Sequence, residues 1–177
     1  KDGEEDLIAY PTGRKILIEK LDFMTGGGAT NTAVCFSRLG LKTACLSTIG
    51  KDDNGKKILN ELKKEKIDFI GTIESNGMTS YSVVLDSMEH DRTILTYKAL
   101  SNNLKFKKLE NNIKKGRLKT KWFYFCTMMG ESFKTLEKLA EYAKQNKRQN
   151  KNENKKENKK QNKKQNEIKI AFNPTNY

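Results

Sequence analysis

Residues 26–33 read Gly26-Gly27-Gly28-Ala29-Thr30-Asn31-Thr32-Ala33. Three glycines in a row suit a backbone that takes positive φ or that lets another group approach closely. The segment that follows predicts a helix over about 30–39, which Gly40 ends in the C′ position. A glycine loop that opens a helix presents free N–H groups at the positive end of the helix dipole, which suits an anionic or polyhydroxylated small molecule. A tight turn without a ligand is the alternative.

The segments after this loop alternate between strand-like and helix-like patterns. They predict one helix that buries Ile58, Leu59 and Leu62 and a later helix that begins near Gly130. The predicted strands are residues 43–49, 121–127 and 168–172. The apolar, aromatic run at 121–127 is typical of a strand covered on both faces. Alternating strands and helices predict an α/β layered domain.

Two further β-rich regions lie outside this alternation. Residues 7–10 and 15–23 predict short strands before the glycine loop, and residues 79–86 and 92–98 predict a hairpin. Polar and apolar residues alternate along the hairpin, which favours a separate small sheet over a place in a buried one. His90 falls at the hairpin tip. We interpret it as a solvated turn residue, because no catalytic partner lies within reach in the sequence.

The basic charge of the chain is concentrated in one segment. The net charge is +13, and residues 146–166 carry nine Lys or Arg against two Glu. Residues 147–166 repeat a four-residue unit that ends in Asn and contain no apolar side chain, so we expect a disordered, solvated insertion. The alternative is an arm that binds nucleic acid through charge alone, since no aromatic residue is present for base stacking. We regard nucleic-acid binding as the less favoured interpretation.

The cysteine, histidine and apolar content narrows the class of protein. Cys35, Cys45 and Cys126 form no C-x-x-C pair, which favours reduced, buried thiols in a cytoplasmic protein. A single histidine cannot anchor a metal cluster. No apolar run is long enough to cross a membrane, and no signal-peptide pattern opens the chain, so we expect no membrane partner.

Two nucleotide-binding patterns compete for the glycine loop. A P-loop requires a lysine at the helix start, and none follows these glycines. The dinucleotide pattern G-x-G-x-x-G fits Gly26 and Gly28, and Asp52 follows the next strand, but Asn31 occupies the third glycine position. A nicotinamide-dinucleotide-binding Rossmann protein therefore stays an alternative.

Several short motifs occur in order along the chain. They are Gly26-Gly27-x-x-x-Asn31 with Ala33, Gly40 and Gly50; Gly50-Lys51-Asp52-Asp53-Asn54-Gly55; the hairpin at 79–98; Gly130-Glu131-Ser132; and Ala171-Phe172-Asn173-Pro174. As a set they resemble the ribokinase-like (pfkB) family of carbohydrate and nucleoside kinases. The resemblance covers nearly the whole chain outside the Lys/Asn repeat.

This resemblance implies a ribokinase-like three-layer αβα sandwich, with a Rossmann-like, mostly parallel sheet and a small β lid. The lid would comprise strands at about 7–23 and 79–98. Residues 1–177 would form an incomplete kinase domain without its C-terminal half, and 146–166 would be an insertion. A homodimer through the lid is a possible assembly in such a family.

The resemblance also assigns residues to roles. Those implied to bind the sugar or nucleoside acceptor are Gly26, Gly27, Gly28, Asn31 and Glu131. The amide of Asn31 offers both a donor and an acceptor, as a diol requires. Tyr81 and Lys98 of the lid are candidates to cover the acceptor. Those interpreted as a structural turn and helix cap are Gly50, Asp52 and Gly55.

The implied reaction is transfer of a phosphoryl group from ATP, with Mg²⁺, to a hydroxymethyl oxygen of a sugar or nucleoside. Such catalysis relies on positioning and on charge stabilisation, with a carboxylate that takes the hydroxyl proton. The family carries that carboxylate in a G-A-G-D motif, which this sequence lacks. We therefore expect the acceptor half of the site here, no catalytic residue and no ATP or metal ligand, and no kinase activity from these residues alone.

Overall fold

A computed structural model describes residues 9–86, 92–156 and 168–174. The α-helices are α1 (Gly28–Arg38), α2 (Asp53–Lys64), α3 (Glu110–Lys114) and α4 (Gly130–Lys156). The strands are β1 (Ala44–Cys45), β2 (Thr48–Gly50), β3 (Asp68–Phe69), β4 (Thr72–Glu74), β5 (Tyr81–Asp86), β6 (Arg92–Tyr97), β7 (Trp122–Cys126) and β8 (Lys169–Asn173). Two 3-10 helices, Ala99–Asn102 and Phe106–Leu109, precede α3.

The predicted strand at 43–49 forms as two short strands. β1 pairs with β3 and β2 pairs with β4, both in parallel. The backbone bonds continue across the break, because Thr72 N–H donates to the Ser47 carbonyl at 2.9 Å. A side chain at Gly71 would place its Cβ 1.8 Å from the Ser47 oxygen. The interruption therefore lies where only a glycine lets the two backbones approach this closely.

β7 and β8 form a third parallel pair, with Trp122 opposite Lys169 and Cys126 opposite Asn173. The ring of Phe36 in α1 meets Tyr124 edge-on at 5.4 Å, whereas Tyr142 in α4 lies 6.5 Å from Phe123. Successive residues of a strand point to opposite faces, so α1 and α4 contact opposite faces of β7. This is an α/β fold.

The prediction that both faces of β7 are covered is wrong in part. Phe125 is 4% exposed, but Trp122 is 55% and Tyr124 is 38% exposed. The face that carries the even-numbered residues meets α1 near Tyr124 and Cys126, and Lys169 lies over the Trp122 ring at 5.3 Å. The face toward α4 is the buried one.

The helix predicted after the glycine loop is confirmed, and it begins two residues earlier, at Gly28. Gly40 has φ +83°, as the C′ position of a helix favours. Its N–H donates to Ser37 at 2.9 Å and the N–H of Leu41 donates to Phe36 at 3.0 Å. These two bonds are those of a Schellman motif, so Gly40 ends the helix for the reason that the sequence indicated.

The packing has two buried clusters. One holds Ala33, Cys45, Leu62 and Ile67 and joins α1, β1 and α2. The other lies beneath α4 and consists of Leu104, Leu109, Leu118, Phe125, Leu136 and Leu139. Each cluster buries the apolar stripe of a helix, which is the main source of helix stability in a small domain.

The hairpin is confirmed, with β5 and β6 antiparallel and Tyr81 opposite Tyr97. Its strands are exposed along nearly their whole length, as a separate small sheet requires. The strand prediction at 15–23 is wrong, since residues 9–27 contain no strand. The apolar side chains there are exposed (Leu17 by 90%), so they do not pack against a neighbouring strand in the described chain. Residues 7 and 8 and His90 lie outside the described residues.

The helix predicted to begin near Gly130 extends into the Lys/Asn segment, over residues 146–156. These residues continue α4, which runs for 27 residues to Lys156. Lys, Gln, Glu and Arg lose little side-chain freedom in a helix, so an established helix extends through them despite the interspersed Asn. Residues 157–166 lie outside the described part of the chain, and their role stays a prediction.

Two further sequence-based predictions concern the three cysteines and membrane-spanning segments. None of the cysteines forms a disulfide; Cys45 is buried and Cys126 is half-buried, but Cys35 is exposed, so its predicted burial is wrong. Among the described helices, none has the length and apolar content needed to span a membrane.

Candidate functional site

The N-terminus of α1 is open to solvent. Gly27 is the N-cap with φ +96°, and no side chain caps the helix. The N–H of Asn31 makes the first helical bond, to the Gly27 carbonyl at 2.9 Å. A Cβ built on Gly26 or Gly27 would meet no atom within 4 Å. The glycines therefore leave free N–H groups and empty space at the positive end of the helix dipole.

Asn31 occupies the exposed side of this first turn. Its side chain makes no hydrogen bond to any residue in the described part of the chain. A carboxamide in this position has one acceptor and two donor hydrogens available. The polar atoms of this side chain are thus available at the exposed end of the helix.

The third glycine of the loop packs against the end of β7. A Cβ on Gly28 would lie 3.3 Å from the Cys126 sulfur, so the absent side chain lets α1 approach the strand. Thr32 donates to the Gly28 carbonyl at 2.6 Å. Burial raises the pKa of the Cys126 thiol, and a hydrogen bond with Thr32 partly opposes that rise. Cys126 therefore serves here as a neutral packing residue.

The open helix end lies at the carboxyl edge of the parallel strands. Cys126 and Asn173 are the last residues of β7 and β8 and lie opposite each other. The Thr127 hydroxyl donates to the Asn173 carbonyl at 3.3 Å and joins the two strand ends. In open α/β sheets, ligands bind outside this edge. The position of Gly26–Asn31 thus agrees with a ligand site.

Glu131 lies in a different environment from the glycine loop. Its carboxylate accepts a hydrogen bond from Lys134 at 2.6 Å. That bond lowers the pKa of Glu131, with smaller contributions from the charges of Lys105 and Lys138. Glu131 lines an open groove of about 560 Å³ between α4 and the second 3-10 helix, which includes Phe106. The structure therefore brings Gly26, Gly27, Gly28 and Asn31 together and does not bring Glu131 into contact with them.

The N-terminus of α2 is closed by its own cap. Asp52 accepts from Gly55 N–H at 2.7 Å and from the Thr79 hydroxyl at 2.6 Å through one oxygen. Its other oxygen accepts from Thr79 N–H at 2.7 Å. These bonds, the Thr79 hydroxyl first, lower the pKa of Asp52. The interpretation of Gly50, Asp52 and Gly55 as a structural turn and helix cap is confirmed.

This cap bears on the dinucleotide alternative. A nicotinamide-binding protein would use an acidic residue after the second strand to accept from a ribose hydroxyl. Both carboxylate oxygens of Asp52 are already engaged by Thr79 and Gly55. The geometry therefore disfavours Asp52 as a ribose ligand.

Two buried residues near the site, Thr79 and Ser132, make structural hydrogen bonds through their hydroxyl groups that the sequence did not indicate. Thr79 is 2% exposed and also accepts from Gly50 N–H at 2.9 Å. Ser132 is 1% exposed, donates to Ser101 O at 2.6 Å and accepts from Leu104 N–H at 2.9 Å. The signal that could have found Ser132 is its place two residues after Gly130, within the first turn of a helix.

The two lid candidates lie at the base of the hairpin. Tyr81 is 43% exposed. The carbonyl of Lys98 accepts hydrogen bonds from the hydroxyls of Ser80 and Ser101. These observations do not place Tyr81 or Lys98 beside Asn31. Their role in covering a ligand therefore stays a prediction.

No cluster of three or more His, Cys, Asp or Glu side chains that could hold a metal ion occurs among residues 9–86, 92–156 and 168–174.

Comparison with known proteins identifies related sequences. The sequence pattern of the pfkB family carbohydrate kinases matches residues 4–169. A putative sugar kinase of Pyrococcus horikoshii is 35% identical over 69 residues, which are 39% of this chain and 22% of that protein. Fructoselysine 6-kinase of Escherichia coli is 30% identical over 73 residues, 41% of this chain and 28% of the enzyme.

Solved structures show the same fold. Fructokinase of Halothermothrix orenii matches with a TM-score of 0.57 and 27% identity, over 67% of this chain and 42% of the enzyme. Adenosine kinase of Schistosoma mansoni, in complex with adenosine, gives a TM-score of 0.60 and 23% identity, over 71% of this chain and 37% of the enzyme. The chain thus covers well under half the length of these relatives.

Proposed function

The chain belongs to the pfkB family of carbohydrate kinases, and we propose that it serves the ATP-dependent phosphorylation of a hydroxymethyl group on a sugar or nucleoside. Related proteins named as sugar, fructoselysine and adenosine kinases support this class of acceptor. Within the class, residues 1–177 supply the acceptor-binding part of the site.

The observation that carries the proposal is the open N-terminus of α1 beside the ends of β7 and β8. The free N–H groups of the first turn act as donors to acceptor hydroxyls, because no side chain caps them. The Asn31 amide binds a neighbouring hydroxyl pair as donor and acceptor at once. Two fixed contacts on one diol orient the remaining hydroxymethyl group, and orientation is the main contribution that such a site makes to phosphoryl transfer.

The remaining features of the family complete the proposal. We assign α1 and α4 to the two outer layers of a three-layer αβα sandwich and the hairpin to its lid. ATP with Mg²⁺ is the phosphoryl donor when bound, and its binding residues are not among these 177. Homodimerisation through the lid belongs to the same proposal.

Acceptor binding gives the direct test. Binding of D-fructose, D-ribose, adenosine and fructoselysine to the 177-residue chain is measured by ligand-observed NMR or calorimetry. We expect one of these acceptor classes to bind, and we expect Asn31→Ala to weaken that binding about tenfold or more through the loss of two hydrogen bonds. Asn60→Ala is the matched control, because Asn60 is also an exposed asparagine on a helix but lies on α2.

The outcomes separate the alternatives. Equal loss in Asn31→Ala and Asn60→Ala would remove Asn31 from the site. Asn31→Gly distinguishes the dinucleotide interpretation, which predicts intact or better NAD binding, from the acceptor site, which predicts weaker sugar or nucleoside binding. In a coupled assay with ATP and Mg²⁺, we expect no turnover of any acceptor by the chain alone. Measurable turnover would contradict the proposal that it holds only the acceptor part.

A further inference from the structure

The β5–β6 hairpin is anchored to the rest of the described chain at its base. Its strands form no ladder with another described strand, and their apolar residues Val84, Ile94 and Leu95 are each about half exposed. A single two-stranded hairpin is marginally stable in water. Contacts at its base therefore decide both whether it stays formed and where it points.

The first contact joins β5 to the N-terminus of α2. The Thr79 hydroxyl donates to Asp52 at 2.6 Å and accepts from Gly50 N–H at 2.9 Å, and the Thr79 N–H donates to Asp52 at 2.7 Å. Thr79 is 2% exposed and lies two residues before the hairpin strand begins. The bond from Gly50 N–H is buried and the two bonds to Asp52 are part-buried, so all three are at least partly shielded from competing water.

The second contact joins both strands to the N-terminus of α4. The hydroxyls of Ser80 and Ser101 donate to the carbonyl of Lys98, and Ser101 N–H donates to Ser80 at 3.3 Å. Ser132, in the first turn of α4, donates to the Ser101 carbonyl at 2.6 Å. A chain of hydroxyls thus runs from the start of β5, past the end of β6, to α4.

Residues of unusual backbone conformation lie on either side of the hairpin. Gly77 has φ +118° and Ala99 has φ +39°. Leu100 fills the space beside Gly77, where a Cβ would lie 2.8 Å from a leucine methyl. The connecting segments are therefore sharp turns, and the orientation of the hairpin depends on how the two hydroxyl contacts hold those turns.

Both contacts lie at the carboxyl ends of parallel strands. Gly50 is the last residue of β2, and α4 begins four residues after the end of β7. The open end of α1 lies at the carboxyl end of β7, against Cys126. The base of the hairpin thus lies near the carboxyl end of β7, where the proposed function places the acceptor.

We propose that Thr79 and Ser132 are positioning residues that fix the orientation of the hairpin relative to the α1 end. They contact no acceptor themselves. Thr79 acts through Asp52, and Ser132 acts through Ser101. The effect on acceptor binding rests on the proposed function, whereas the effect on the hairpin does not.

NMR of the 177-residue chain without ligand tests the effect on the hairpin. Thr79→Val keeps the shape of the side chain and removes the hydroxyl, and Thr79→Ser keeps the hydroxyl. In Thr79→Val we expect the order parameters of the β5 and β6 amides to fall from about 0.85 to below about 0.6, and their residual dipolar couplings to shrink together, with α2 and β7 unchanged. Thr79→Ser is expected to restore wild-type values, and Ser132→Ala to produce the Thr79→Val pattern.

Ser82→Ala is the matched control. Ser82 also donates a hydroxyl bond within the hairpin, to Thr96 at 3.2 Å, but that bond is exposed and joins only the two hairpin strands. We expect no change of orientation in this variant. Hairpin couplings equal to wild type in both Thr79→Val and Ser132→Ala would overturn the proposal, and so would an equal loss in α2, β7 and the hairpin. If Thr79→Val does not fold, Ser80→Ala takes its place, because Ser80 is a part-buried residue of the second contact. The same residual dipolar couplings of the hairpin then test the proposal.

Acceptor binding separates this proposal from the proposed function. With D-fructose or adenosine as the probe, we expect Thr79→Val to weaken binding about fivefold or more, with Ser82→Ala unchanged. A wild-type chain that binds neither probe argues against the proposed acceptors and leaves the hairpin result to decide the positioning role. A wild-type chain that binds, together with a mobile hairpin and unchanged affinity in Thr79→Val, would overturn the role in positioning the lid for the acceptor.

Discussion

The first turns of α1 and α2 both carry glycines, yet one is open and the other is closed. At α1, a Cβ on Gly26 or Gly27 would meet no atom within 4 Å, and no side chain caps the helix. At α2, a Cβ on Gly55 would lie 2.2 Å from the Gly50 carbonyl oxygen, and Asp52 caps the helix. The same residue type thus leaves space for a ligand at one helix and lets two backbones touch at the other.

This difference shows what a glycine motif indicates. A run of glycines predicts that something must come close to the backbone, and it does not say whether that group belongs to the protein or to a ligand. The neighbouring polar residue decides between them. Asp52 has all its described bonds within the protein, whereas the Asn31 side chain has none in the described chain.

Gly55→Ala should give the largest effect, because it places a methyl group where α2 meets β2. The added Cβ would also come within 3.1 Å of the Thr79 hydroxyl. We expect a loss of about 3 kcal/mol in the free energy of unfolding, from overpacking against backbone. Urea denaturation followed by circular dichroism measures it. A variant within 0.5 kcal/mol of wild type would show that the α2 end is looser than described.

Asp52→Asn should give the next largest effect, and it should depend on pH. Hydrogen bonds, the Thr79 hydroxyl first, lower the pKa of Asp52 in the folded protein. A lowered pKa contributes stability that is present above the unfolded-state pKa and is lost as the pH falls through the folded-state pKa. We expect the variant to lose about 2 kcal/mol at pH 7, because an amide nitrogen cannot accept a hydrogen bond from Thr79 N–H, and to approach wild-type stability at acid pH.

Chemical denaturation of both proteins between pH 7 and pH 3 checks this expectation. Asp53→Asn is the control, because Asp53 is in the same turn but its bonded partner is the exposed Lys56. A difference between wild type and Asp52→Asn that does not shrink with acidification would mean that the charge of Asp52 is not what the cap requires.

Substitutions at the open end of α1 should give the smallest effects on stability. They test whether this helix end has more free space than the capped end of α2. Gly27→Ala must place a side chain at φ +96°, which we expect to cost about 1–2 kcal/mol. Gly26→Ala meets no neighbour and no positive φ, so it should be neutral or slightly stabilising through the unfolded chain. Thermal melts of the pair measure the difference. A large loss in Gly26→Ala would mean that the space beside it is filled in solution.

Much of this architecture could be predicted from the sequence where one local rule determines the structure. Gly40 at the end of α1, Asp52 before α2 and the alternation at 79–98 each specify an element through nearest neighbours in the chain. The fold class followed from their order. The family was indicated by the same residues, and the match over 4–169 confirms it.

The remaining features depend on contacts between distant segments. The apolar residues at 15–23 have strand propensity, but a strand forms only with a partner, and none of the described strands pairs with this segment. The roles of Thr79 and Ser132 depend on groups 27 to 31 residues away. No spacing rule covers such distances. The fold brings together the site residues that share the first turn of α1, which are Gly26, Gly27, Gly28 and Asn31. Glu131 belongs to α4, so it lies apart from them.

The three cysteines give the chain a graded set of thiols for chemical labelling. Burial raises the pKa of Cys45 to about 11, so only about one molecule in 10⁴ carries its reactive thiolate at pH 7. Burial also raises the pKa of Cys126, whereas Cys35 is exposed on α1. A maleimide dye under mild conditions should therefore attach to Cys35 first. One native residue can report on the helix that bears the open end, without an engineered cysteine.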